Sequence, residues 1–102
     1  MGMTRINEFR AKKGKADAFR AFLMRIIPTI ASSAGCLSCR LLQSCENPTR
    51  FVVIEVWDSI ESHQASMRDI PPEEFAEVME LLDGTPVGEY YHECMLLANS
   101  AK

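Results

Sequence analysis

FVVIEVW, residues 51–57, is β-branched or aromatic at every position except Glu55, which makes it the clearest strand signal in the chain. Alternate residues of a strand face opposite sides, so Val52, Ile54 and Val56 form one wholly apolar set. Phe51, Val53, Glu55 and Trp57 form the other set, apolar except for one carboxylate. The wholly apolar set suits packing under helices. The mixed set is then left on an open face, where Phe51, Val53 and Trp57 together make a patch that calls for an interface or a ligand cleft.

The neighbouring segments fall into place around this strand. Before it, ENPTR (46–50) holds a strong Asn-Pro breaker, and CLSCRLLQS (36–44) reads as a partner strand. After it, Asp58 or Ser59 caps the short helix IESHQASMR (60–68), with Glu61 three residues beyond Asp58 in capping-box position. A further helix follows Pro71-Pro72. Phe75, Val78, Met79 and Leu82 are its expected buried stripe, Glu73, Glu74, Glu77 and Glu80 its wet face, and Gly84 its stop. EYYHECMLLA (89–98) is the expected last strand. At the other end, MTRINEFRA (3–11) alternates weakly, with Arg5, Asn7 and Phe9 on one side. KKGK turns into DAFRAFLMRIIPTIASSAG (17–35), whose Phe19, Phe22, Leu23, Ile26 and Ile30 recur at helical spacing; Pro28 is expected to kink or divide this helix. The order is βαββαβ, the ferredoxin-like α+β arrangement: a four-stranded antiparallel sheet with helices on one face. A homodimer formed through the open faces of two sheets would cover the apolar patch.

Bulk properties narrow the classes. A chain of 102 residues suggests a single domain spanning 1–102, with its core at about 3–98. A net charge of −3 argues against nucleic acid or an anionic membrane as partner. No apolar run approaches the roughly 20 residues that span a bilayer. MGMTRINEF carries no apolar signal core, so the chain reads as cytoplasmic with reduced thiols.

GCLSCRLLQSC (35–45) tests that view, because it opens with a CxxC. On a regular strand Cys36 and Cys39 point to opposite faces and cannot converge on one metal or pair as a dithiol. A redox CxxC also begins a helix, whereas Gly35 ends one. Cys36, Cys39, Cys45 and Cys94 therefore read as small buried apolar residues, with no metal implied.

The polar residues amid apolar sequence, Asn7, Glu55, Trp57, Tyr90, Tyr91, His63 and His92, are the functional candidates. Asn7 sits mid-strand, at a sheet edge or at a site. Glu55 must be paired, with Arg5 or Arg40 the available partners, or lie at a wet cleft with a raised pKa. Trp57 is a core residue or a flat wall for a ring. His63 faces inward on its short helix, either as a satisfied core histidine or as a base titrating near neutrality. His92, on the last expected strand, is the other candidate base.

Gly35-Cys36, then NPTRFVVIEVWDSIESHQAS (47–66) with its IE-x-W-x-S core, then a short acidic helix and a terminal strand, resembles the antibiotic biosynthesis monooxygenase family. The resemblance covers nearly the whole chain. It implies a dimeric α+β barrel with a pocket for a small aromatic substrate. In active members it implies oxidation of a quinol or polycyclic phenol by dioxygen as co-substrate, without metal, flavin or other cofactor. On that reading Asn7 bonds the developing oxyanion, Trp57 walls the ring and His63 takes the proton, while Phe9, Phe51, Glu55, Arg40 and His92 contact the substrate. The chain departs from the family at Ser66, where an Ala-His pair usually places its histidine. Asn7 also matches a haem-degrading branch, but that branch needs a His ligand and a second Trp; the single Trp and a 71–83 helix without His speak against it. A non-catalytic binder of apolar ligands using Phe9, Phe51 and Trp57 is the alternative, as is an isomerase using His63 or His92.

Overall fold

The computed structural model describes residues 2–99. The elements run β1 (Met3–Arg10), α1 (Ala16–Ala31), β2 (Cys36–Gln43), β3 (Arg50–Trp57), α2 (Ile60–Arg68), α3 (Pro72–Leu81) and β4 (Val87–Tyr91). The strands form one antiparallel sheet in the order β2-β3-β1-β4, with β3 and β1 in the middle. This is the ferredoxin-like fold expected from the sequence. Pro28 lies inside α1 without dividing it. Among the described residues no helix is long and apolar enough to cross a membrane.

The two faces of β3 are the reverse of the sequence expectation. Phe51, Val53, Glu55 and Trp57 are buried beneath the helices, at 1 to 5% exposure, while Val52, Ile54 and Val56 are only half-buried on the open face. Parity tells which residues share a face but not which face is covered. The helices cover the mixed set because it has the better partners. Phe19 of α1 meets Phe51 edge-on at 5.2 Å and Phe9 at 5.4 Å. Glu55 finds donors on its own side of the sheet. Phe19, Phe22, Leu23, Phe51, Val53, Ala11 and Leu82 make the buried core.

The α2 helix is fixed at its start. Ser59 caps it by accepting from the Ser62 N–H at 3.1 Å, and the Ser62 hydroxyl donates to Asp58 at 2.6 Å. The Asp58 N–H donates to the Gly35 carbonyl at 2.8 Å, tying this corner to the entrance of β2. Gly35 has φ +86, and a Cβ there would run into Ser62 and Asp58. Only glycine meets both demands, left-handed backbone and close approach.

Two elements differ from their expected extent. β4 stops at Tyr91 instead of running to residue 98. Tyr91 pairs with Thr4 close to the start of β1 at Met3, so the chain beyond has almost no strand left to pair with. Met95, Leu96 and Leu97 are 71 to 84% exposed there. On α3, Val78 and neighbouring Leu82 turn inward as expected, but Phe75 and Met79 are 43% and 51% exposed. α3 leans on α1 through Val78, Leu81 and the Arg25–Glu77 ion pair, and this approach seats only one side of its apolar stripe.

Candidate active site

β1 and β3 lie side by side with Arg5 opposite Glu55 and Asn7 opposite Val53. Residues two apart share a face, so Arg5, Asn7, Glu55 and Trp57 all rise from the helix-covered side. β4 adds Tyr90, opposite Arg5. α2, entering from the Gly35 corner, lowers His63 onto the group; His63 is its one buried residue.

Hydrogen bonds link these side chains. The Trp57 indole N–H donates to Glu55 Oε1 at 2.8 Å, and Asn7 Nδ2 donates to Glu55 Oε2 at 3.2 Å. Arg5 Nε donates to Asn7 Oδ1 at 3.0 Å, and its guanidinium lies 4.6 Å from the centre of the Tyr90 ring. Tyr90 Oη and His63 Nδ1 are 2.6 Å apart, and His63 Nε2 is 3.8 Å from Glu55 Oε1. The His63 ring stands edge-on to both Trp57 and Tyr90, at 5.4 and 5.3 Å. Room for the Arg5–Asn7 pair comes from Gly88, opposite Asn7: a Cβ there would collide with both side chains.

Burial sets the protonation states. It pushes the Glu55 carboxyl above the usual range, against the pull of the Trp57 N–H, the Arg5 charge and the Asn7 amide. It pushes His63 down, and Arg5 pushes the same way. At neutral pH the imidazole is therefore uncharged. In the tautomer with its proton on Nε2, towards the Glu55 oxygens, Nδ1 accepts from the Tyr90 hydroxyl. Tyr90 is thus the hydrogen-bond partner of the imidazole, and the Glu55 carboxyl, 3.8 Å from Nε2, stands beside it beyond hydrogen-bond reach. Such a group can orient and move protons.

Of the residues named from sequence, Asn7, Glu55, Trp57 and His63 come together here. Phe9 and Phe51 do not. They face each other across β1 and β3 six residues from Trp57, roughly 20 Å along the strand, inside the aromatic core. Phe51 lines a cleft of about 340 Å³ with Arg20, Met24, Leu41 and Gln43, and Phe9 lines another of about 220 Å³. Neither cleft touches the polar group. Arg40 pairs with Ile54, so it stands exposed on the opposite face from Glu55; Arg5 is the cation beside that carboxyl. His92 is exposed beyond the end of β4. Tyr90 is the candidate to which sequence reasoning gave no role. Its signal was the spacing Gly88-x-Tyr90, a gap and a hydroxyl on one strand face, legible only once the register to β1 is known.

The cysteines also needed the structure. The register shifts between Cys36 and Ser38, so that Cys36 pairs with Trp57 and Cys39 with Glu55. This bulge turns both thiols to the same face, where a regular strand would have separated them. Burial, then the Glu55 charge, pushes the Cys39 thiol up to about 12, far from the thiolate a redox site requires. Cys36 is pushed the same way. Cys45 and Cys94 are exposed, contrary to the expectation of buried thiols. Among the described residues no three His, Cys, Asp or Glu side chains are grouped to hold a metal ion.

Residues 2–80 match the family described as antibiotic biosynthesis monooxygenase. The chain belongs to that family. The matched stretch carries Arg5, Asn7, Glu55, Trp57 and His63, and β4 with Tyr90 lies after it. No curated protein is similar enough in sequence to match. Solved structures share the fold. A conserved protein from Methanosarcina mazei superposes with TM-score 0.82 at 22% identity, over 91% of this chain and 93% of its own. Rv0793 from Mycobacterium tuberculosis gives 0.80 at 22%, over 96% of this chain and 100% of its own. SnoaB, a cofactor-independent oxygenase from Streptomyces nogalater, gives 0.81 at 18%, over 96% of this chain and 98% of its own. As a monooxygenase-family chain, this one carries its most buried polar residues, Glu55 and His63, together under α2.

Proposed function

We propose that the chain is a monooxygenase that oxidises a small quinol or polycyclic phenol with dioxygen, using neither metal nor flavin. The observation that carries this reading is the hydrogen bonding of Asn7 and Trp57 to Glu55, with His63 3.8 Å from the same carboxyl, in a chain of this family. SnoaB, with the same fold, is an oxygenase that needs no cofactor. The chemistry asks little more of a protein. Dioxygen is a triplet and reacts slowly with closed-shell organics, but an electron-rich phenolate can give it one electron. The protein must then favour the anion, hold the ring and keep the site dry. His63 accounts for the proton and Asn7 for a donor to the oxyanion, while Trp57, at 1% exposure, braces Glu55 and offers no open face to a ring.

The functional unit is a homodimer on this reading. The open face of the sheet carries Ile6, Leu42, Val52, Ile54 and Val56, half-buried or exposed, and a second copy is the partner that would cover it. The face proposed for contact is thus the opposite of the one picked from sequence parity.

One observation favours a second reading. The cleft beside Phe51 sets Met24, Leu41 and Phe51 against Arg20 and Gln43 and holds none of the polar group, which suits a non-catalytic binder of small, mainly apolar ligands. Oxygen uptake with a panel of hydroquinones, with and without a chelator, decides between them. The oxygenase consumes oxygen in both conditions and loses the activity in Asn7→Ala and His63→Ala; a binder consumes none.

A further inference from the structure

The histidine that would serve as base is sealed. His63 is 5% exposed, its Nδ1 is covered by the Tyr90 hydroxyl at 2.6 Å, and its other nitrogen faces Glu55. A substrate cannot reach Nδ1 without displacing the Tyr90 hydroxyl. Tyr90 is the member of this series that is only partly buried. It is also held firmly: Arg5 lies over its ring and His63 meets it edge-on.

We propose that Tyr90 is a catalytic residue, whose hydroxyl receives the phenolic proton of the substrate as it hands its own proton to His63 Nδ1. The proposal rests on the oxygenase reading and adds to it the group that touches the substrate. The proton balance is simple. The substrate O–H bond breaks, Tyr90 loses one proton and gains another, and a new N–H forms on His63. One proton moves from substrate to imidazole and no electron moves in this step. The charge left on the substrate is the phenolate that dioxygen needs, and the charge gained by the imidazole lies 3.8 Å from Glu55. Arg5, over the face of the Tyr90 ring, holds that ring in place. The titratable and charged groups around His63 are Glu55 from β3, Arg5 from β1 and Tyr90 from β4, with Cys36 and Cys39 of β2 beyond Glu55.

A tyrosine that merely satisfies a core histidine would give the same hydrogen bond, so the test must separate work from packing. In the full chain, Tyr90→Phe keeps the ring and removes the hydroxyl. With naphthohydroquinone and dioxygen, the expected result is a loss of kcat of at least ~100-fold, as for other general acid–base groups, with KM changed little. Adding His63→Ala to Tyr90→Phe should cost nothing more, because the two residues act in one relay. Wild-type turnover in Tyr90→Phe overturns the proposal and leaves the oxygenase reading standing. If Tyr90→Phe does not fold, 3-fluorotyrosine at position 90 keeps the shape and acidifies the hydroxyl. It should move the pH–rate profile to lower pH, and an unmoved profile overturns the proposal.

If the wild-type chain oxidises no hydroquinone, the oxygenase reading falls, and para-nitrophenol binding still judges Tyr90. The wild-type protein should hold this phenol as its coloured anion at a pH where the free phenol is protonated, and Tyr90→Phe should hold it protonated. The same spectrum in both proteins, or a wild-type protein that leaves the phenol protonated or unbound, overturns the proposal.

Discussion

The helix-covered face of the sheet has two halves built on the same two strands. Under α1, Phe9, Phe19, Phe22, Phe51 and Val53 pack as apolar bodies, with ring centres 5.2 to 6.5 Å apart. Under α2, Arg5, Asn7, Glu55, Trp57, His63 and Tyr90 meet through directed hydrogen bonds. The first half gains from area removed from water, which forgives small changes of angle. The second places a carboxyl and an imidazole at 5% exposure, a cost met only if each polar atom finds its partner. It does: no buried side-chain nitrogen or oxygen among the described residues lacks one. One half therefore holds the fold together, and the other is an ordered polar group that the fold supports.

The largest effect should come from the apolar half. Phe19 is fully buried against three other rings, so Phe19→Ala should destabilise the chain by about 3–5 kcal/mol in denaturant unfolding. A loss under about 1 kcal/mol would mean that this half is not the core.

Next comes the corner that supports the polar half. Gly35→Ala brings left-handed strain together with a collision at Ser62 and Asp58, and should cost about 1–3 kcal/mol. Because α2 starts at this corner, the Tyr90–His63 contact should loosen with it, visible as a change in the His63 ring signals in NMR. An unchanged His63 spectrum would detach the histidine from the corner.

The polar half should then show in the pH dependence of stability, through two opposing slopes. His63 is held below its ordinary 6.5, so below that pH the unfolded chain binds the proton first and stability falls as pH drops. Glu55 is held above its ordinary 4.5, so the folded chain keeps its proton longer and stability falls as pH rises from that value. Thermal melts should show Glu55→Gln losing the second slope and keeping the first, with His63→Gln doing the reverse. Identical slopes in both variants would contradict the assignment.

The smallest effect is a control in the turn between β1 and α1. Lys13 is exposed there, so Lys13→Ala should shift stability by no more than about 0.5 kcal/mol and leave oxygen uptake alone.

Much of this division could be read from sequence, but not its orientation. The strand FVVIEVW, the caps and the helical stripe of α1 carry strong local signals, and the element order follows from them. Which face of β3 lies under the helices depends on what α1 and α2 offer in return, Phe19 to Phe51 and His63 to Glu55, and that is settled only in three dimensions. The purely apolar set looked like core because no polar atom spoke against it. Glu55 belongs in the buried set because Trp57, two residues on, and Asn7, on another strand, donate to it. Asn7, Trp57 and His63 stood out as polar or aromatic residues in apolar surroundings, and they do meet. Tyr90 stood among the polar residues too, but its place beside His63 was hidden by register. The end of β4 and the common facing of Cys36 and Cys39 turn on a strand's missing neighbour and a one-residue bulge, neither of which alters the local pattern.

The most direct measurement is oxygen consumption by the wild-type chain and by His63→Ala, side by side, with naphthohydroquinone and a chelator present. If the half under α2 is a proton-moving site, the wild-type chain takes up oxygen and His63→Ala is slower by at least ~100-fold. Equal rates in the two proteins, or no uptake in either, would contradict it.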